Sequence, residues 1–187
     1  RNMESYGILD TMGLTSRIVL DANIYTMNNR AEAFWMKKGI LGDTVPLELN
    51  AKELVHRNNK NSELTVYGYT PMMVAVQCVQ KTMDHCNHAC VQYVLKDRYQ
   101  KEFRGVCSCE FCYNTIYNTL PTSLLKEKEK AEKLGVKAYR LSFTTETQQE
   151  TEKIVRAFVD VYLRGQKPDG PMQTEETTKG HFQRGVE

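Results

Sequence analysis

Residues 137–165 read KAYRLSFTTETQQETEKIVRAFVDVYLRG. The opening KAYRLSFT, residues 137–144, has the short β-favouring run of a strand, and Thr145 then starts the longest helix, over 146–163. Ile154, Val155, Phe158, Val159 and Tyr162 recur at helical spacing and form one apolar face, and Gly165 ends it. The same strand-then-helix succession appears upstream. Residues 16–26, SRIVLDANIYT, carry Ile18-Val19-Leu20, an apolar run suited to a buried parallel strand. Asn28-Asn29 caps a short helix through Ala31, Ala33, Phe34, Trp35 and Met36 that stops at Gly39. Residues 43–50, DTVPLELN, form a second strand in which Pro46 predicts an irregular start or a bulge, and Asn50 caps a helix over Lys52, Glu53, Leu54 and Val55. Residues 63–69, ELTVYGY, form a third strand, and the apolar stretch 71–79 reads as a buried helix. Residues 123–134, SLLKEKEKAEKL, read as a charged amphipathic helix stopped by Gly135.

Repeated βα units imply an α/β fold with a parallel sheet and right-handed crossovers. A full (β/α)₈ barrel takes about 250 residues, so four units amount to half of a TIM-like barrel. The expected organisation is a half-barrel over residues 1–165 with a cysteine-rich insert at 78–112, followed by a polar tail at 166–187, extended or disordered. An open half-barrel exposes two parallel strand edges, which calls for cover by the remainder of a longer protein or by a second chain. The first residue is Arg1 rather than Met, which also reads as a piece of a longer protein.

At 187 residues, with 41% hydrophobic and 26% charged side chains, the chain can build one core and is not disordered throughout. A net charge of +2 gives no global electrostatic case for nucleic acid or an anionic membrane. No apolar run approaches the roughly 18–20 residues that cross a bilayer, and no signal-peptide core opens the chain, so a cytoplasmic location without membrane contact is expected.

All 6 cysteines fall between Cys78 and Cys112, in the pattern C-x7-C-x3-C-x16-C-x-C-x2-C. Thiolates are preferred ligands of Zn²⁺ and of iron–sulfur clusters, and a metal can order a segment too polar to fold alone. Only Cys109 and Cys112 have the C-x2-C spacing of a zinc half-site, and the irregular spread suits a cluster at least as well. Disulfides and inert thiols are the competing readings, the first weakened because a domain of this size needs no staples. His85 and His88 flank Cys86 as further candidate ligands, though such histidines in polar loops are more often solvated.

Asp21, Glu48 and Glu146 lie in or just after strands, where barrel active sites form. Glu48, Asn50 and Tyr67 are therefore candidates for a substrate mouth, against the plainer reading that Glu48 and Asn50 cap the next helix. Neither a G-x-S-x-G elbow nor an H-E-x-x-H motif occurs, so serine hydrolysis and zincin chemistry have no sequence support. The stretch Lys96-Asp97-Arg98-Tyr99 reads as a local ion-pair turn. Lys96, Arg98, Lys101 and Arg104 would suit a phosphate backbone, or simply a solvated loop.

The series LDANIYTMN (20–28), PLELN (46–50), ELTVYGYTPMMVAVQC (63–78), LKDRYQKEF (95–103), CSCEFCYNTIYNTLPTSLL (107–125) and RLSFTTETQQE (140–150) resembles the peptidase U32 family, the so-called collagenase-like proteases. KGHFQRGVE (179–187) is similar to the segment that closes the family's barrel. The resemblance is nearest to the C-terminal half-barrel of long bacterial members. It implies either peptide hydrolysis, as the family name says, or the oxygen-independent hydroxylation of RNA or of the ubiquinone ring carried out by members holding a [4Fe–4S] cluster on four cysteines. Matched residue by residue, Cys78 corresponds to the first ligand, Cys86 and Cys90 to the second and third, and Cys109 to the last, which follows a D-R-Y stretch. Cys107 and Cys112 are extra to that pattern and stand as alternates, with zinc as the alternative metal. A non-catalytic structural or RNA-binding module is the other expectation.

Overall fold

A computed structural model describes residues 1–84, 86–167 and 176–186. In chain order it forms α1 (Met3–Thr11), β1 (Val19–Leu20), α2 (Asn29–Lys37), β2 (Gly42–Thr44), α3 (Ala51–Leu54), β3 (Ser62–Gly68), β4 (Pro71–Ala75) and α4 (Val79–Thr82). There follow β5 (Gln92–Lys96), β6 (Glu102–Ser108), β7 (Tyr113–Tyr117), β8 (Thr122–Ser123), α5 (Lys128–Glu132), β9 (Ala138–Ser142) and α6 (Gln148–Phe158).

β1, β2, β3 and β9 lie side by side in that order, all parallel. The order never reverses, so right-handed crossovers place the connecting helices on one face. Packing agrees: Leu54 of α3, Ala131 of α5, and Ile154 and Phe158 of α6 share one buried cluster with Leu64 and Val66 of β3. A second cluster seats Trp35 of α2 on Ile18 and Leu20, with Tyr6 of α1 edge-on to Trp35 at 4.8 Å between ring centroids. On β3, Glu63 and Thr65 alternate to the opposite, polar face, as a half-buried strand requires. A register shift against β9 makes Val66 the extra residue, which lets Val66 and Tyr67 both be buried. Gly68 ends β3 where a Cβ would stand 2.7 Å from the Ser142 carbonyl oxygen, so the two strand ends approach closely only because glycine is there.

Several expectations need correction. The strands foreseen at 16–26 and 43–50 are only Val19–Leu20 and Gly42–Thr44. Pro46 lacks the N–H that a longer strand would donate. The apolar stretch 71–79 is not a buried helix but the exposed strand β4, paired antiparallel with β7. Short apolar runs are ambiguous, and here the partner strand decides. The third strand is therefore followed by a second sheet, antiparallel and ordered β4-β7-β6-β5, that carries Cys107 on β6 and the other five cysteines in its connecting segments. The turn between β5 and β6 is held by Asp97, whose Oδ1 accepts the N–H of Tyr99 at 2.8 Å and of Lys101 at 2.9 Å. The ion pair there joins Lys96 to Glu102 across the strands.

The helix foreseen at 123–134 shortens to α5 after a 3₁₀ turn. α6 spans 148–158 and continues as a π turn over Val159–Leu163. Helix α1 lies before the first element foreseen from sequence. The tail is not loose throughout: Thr178 bridges to Thr122, Phe182 enters the main core, and Lys179 pairs with Glu127. Residues 168–175 and 187, for which an extended or disordered tail was expected, lie outside the described residues. No described helix is long and apolar enough to cross a membrane.

Candidate metal centre and adjoining cleft

The second sheet gathers the cysteines. Cys107 of β6 pairs with Asn114 of β7, which pairs in turn with Ala75 of β4, so the three form one row across the sheet. Asn114 is fully buried; its amide donates to the Gln77 carbonyl at 2.9 Å and its Oδ1 accepts from the Tyr93 hydroxyl at 3.2 Å. That anchor holds the chain leaving β4 as Cys78 turns into α4, and brings Cys78 Sγ to 3.7 Å from Cys107 Sγ. A 3₁₀ turn at Cys109–Phe111 ends in Cys112 at φ 51°. Cys78, Cys86, Cys109 and Cys112, with His88, line one cavity of about 640 Å³. Cys107 lies sealed beneath it, and Cys90 Sγ accepts the Cys109 N–H at 3.4 Å. His85 lies outside the described residues.

Electrostatics tie these thiols together. The backbone N–H of Lys81 at the start of α4 holds the Cys78 thiol below its ordinary value, helped by Cys107 and by the Gln80 N–H, although burial opposes them. Burial, then Cys78, pushes the Cys107 thiol up to about 12. Burial also raises Cys109, with added repulsion from Cys86, Cys112, Cys90 and Cys78. Burial and neighbouring thiols thus oppose ionisation of Cys107 and Cys109 until a cation offsets the charge, and a cation bound by thiolates releases their protons. The cavity offers sulfur and imidazole donors with no carboxylate among its described lining, which is the donor chemistry of zinc and iron–sulfur centres. Among the described residues no three His, Cys, Asp or Glu side chains already stand at single-ion distance.

A second site lies where the parallel strands end. Tyr67, Tyr69, Arg104, Glu146 and Lys153 line a cleft of about 320 Å³. The Tyr67 ring packs against Phe143 and Phe158, and burial, then the Glu146 charge, pushes its hydroxyl well above the ordinary value. Glu146 Oε2 accepts the N–H groups of Thr144 and Thr145 at 2.6 and 2.9 Å. Arg104 reaches over from β6, lies on the Tyr69 ring at 4.7 Å and donates to Thr145 Oγ1 at 3.1 Å. It thereby joins the cysteine-bearing sheet to the mouth of the parallel one. Lys96 is paired with Glu102 and Arg98 lies on Tyr99.

Of the mouth candidates, Tyr67 reaches this cleft. Asn50 instead completes a capping box, accepting from the Lys52 and Glu53 N–H groups while Glu53 accepts from its own. Glu48 is half-buried, and its Oε2 is sealed from solvent without a hydrogen-bond partner among the described residues. Asp21 is engaged by Arg140, which also donates to Thr44 and Glu63 on the polar face of the sheet. Sequence reasoning missed Arg140, because nothing local marks an arginine whose partners sit on three other strands or strand ends. Compared with protein-family models, curated proteins and solved structures, the chain matches none of them.

Proposed function

We propose that the chain is a U32-type (β/α) half-barrel module whose cysteine insert holds a [4Fe–4S] cluster and serves the oxygen-independent hydroxylation of RNA or a small molecule in the cytoplasm. The observation that carries this is the convergence of four thiols, from segments up to 34 residues apart, on one cavity. Its volume exceeds what a single ion with bonds of about 2.3 Å requires. When bound, such a cluster supplies one-electron transfer. The chain's own residues do the rest: Cys78, Cys86, Cys109 and Cys112 are the proposed ligands, with Cys112 preferred to Cys90 because it faces the cavity. Tyr67, Glu146 and Arg104 shape the neighbouring cleft for substrate. The uniform strand order supports a half-barrel, and the sides of β1 and β9 that are unpaired among the described residues are where the rest of a longer U32 protein or a second chain would complete it. Soft donors favour this chemistry over the peptide hydrolysis of the family name.

One observation favours a second reading, a non-catalytic, zinc-stabilised structural or RNA-binding module. The 3.7 Å between Cys78 and Cys107 sulfurs matches the edge of a tetrahedral zinc site, about 3.8 Å for Zn–S bonds of about 2.3 Å. Single Ser substitutions, read as metal per chain, separate the two. The cluster reading expects loss at Cys78, Cys86, Cys109 and Cys112 and retention at Cys90 and Cys107. Loss of zinc at Cys107 would establish the second reading.

A further inference from the structure

Cys107 is sealed at 1% exposure, yet its sulfur touches Cys78, a thiol at the cavity wall. Among the described residues this is the one thiol–thiol contact, and Cys107 has no part in lining the cavity. We propose that Cys78 and Cys107 form a reversible disulfide that withdraws Cys78 from the metal centre, so that the centre can be loaded only in the reduced protein. The inference rests on the reading of Cys78 as a ligand, although the disulfide itself does not depend on the metal.

Geometry favours this pair over the others. Forming a bond of about 2.05 Å closes the present 3.7 Å gap by a motion that a rotation of Cys78 at the start of α4 can supply. Cys107 is fixed within β6, and Asn114 tethers the chain carrying Cys78 to the same row of the sheet. Cys109 and Cys112 are close in sequence, but the Cys112 thiol is turned to the Cys109 carbonyl oxygen.

The oxidant is a small disulfide such as oxidised glutathione. Cys78, facing the cavity, loses its proton and attacks one sulfur of that disulfide, releasing one glutathione thiol and leaving a mixed disulfide. The Cys107 thiol then attacks Cys78 Sγ, its proton passing to the departing glutathione sulfur, which leaves as the second thiol. The two protein sulfurs give up two electrons in forming their bond. The glutathione disulfide gains both and leaves as two thiols.

The test uses the full chain, stripped of metal and reduced, then exposed to oxidised glutathione. Remaining thiols are alkylated and the linked peptides identified by mass spectrometry. The expected product is a Cys78–Cys107 link with the other four cysteines alkylated, and loss of iron uptake on reconstitution until dithiothreitol is added. In Cys107→Ser the expected product is a persistent glutathione adduct on Cys78, and the unoxidised variant takes up iron like the wild type. Cys107→Ala provides the same readout if the serine variant does not fold. A link at Cys109–Cys112, or a lasting adduct on Cys78 in the wild type, would overturn the inference. Formation of the expected link in a protein that never takes up iron would instead overturn only the cluster.

Discussion

Arg57 and Asp43 show how a single buried pair holds the closed end of the parallel sheet, opposite the mouth. Both side chains are nearly sealed, at 2% and 5% exposure. Arg57 also donates to the Thr26 carbonyl, Asn59 and Ser62, while Ser62 Oγ donates to the other Asp43 oxygen at 2.6 Å. Breaking such a pair on one side leaves an uncompensated charge, which costs about 3–5 kcal/mol. Asp43→Ala should therefore lower the unfolding free energy by roughly that amount in urea titrations while leaving metal per chain unchanged. If stability barely moves, the pair is not what secures this end. None of the network could be read from sequence, since its members come from segments 14 to 31 residues from Arg57 as well as from its own turn. The cysteines were different. Their clustering was visible at once, but which of them share a cavity depends on the 3₁₀ turn that ends at Cys112.

Helix α6 was legible as an element because its capping and its apolar face are both local. Thr147 Oγ1 accepts the Glu150 N–H at 3.2 Å, and Glu150 returns the contact by accepting the Thr147 N–H at 2.7 Å. Thr147→Ala should cost about 1 kcal/mol in the same titration. The Thr147 N–H, then the Thr147 hydroxyl, hold the Glu150 carboxyl below its ordinary value. A carboxyl lowered by folding stabilises the protein above its unfolded pKa, and that contribution fades as pH falls through the folded value. The stability difference between wild type and Glu150→Gln should thus shrink as pH drops below about 4.3; a difference that grows on acidification would contradict the sign. β4 is the opposite case. Its apolar run carried no periodicity able to separate a buried helix from an edge strand, and pairing with distant β7 settled the matter. Met72, Met73, Val74 and Val76 stay exposed along that edge, and no charge interrupts residues 70–77. Edges of this kind self-associate, so Val74→Lys should reduce light scattering at high concentration without lowering stability.

The parallel sheet and its one-sided helices were foreseeable from four apolar runs spaced by helical segments. The antiparallel sheet was not, because β4 is an apolar run without periodicity and β5, β6 and β7 lie within or beside the cysteine-rich insert, where no strand was expected. The docked tail was missed for a related reason: in 176–186 the anchoring apolar side chain is Phe182, which joins the core contributed by β3, α5 and α6. Burial of one large ring is nevertheless substantial, and Phe182→Ala should lower stability by about 3–5 kcal/mol with an unchanged denaturant slope. A negligible effect would mean the tail does not close the fold. The proposed cysteine centre is tested most directly by metal and sulfide analysis of anaerobically purified protein, read with its visible spectrum. A [4Fe–4S] centre predicts about four iron and four sulfide per chain with the broad absorption of an iron–sulfur cluster. One zinc per chain without iron, or six free thiols without metal, would contradict it.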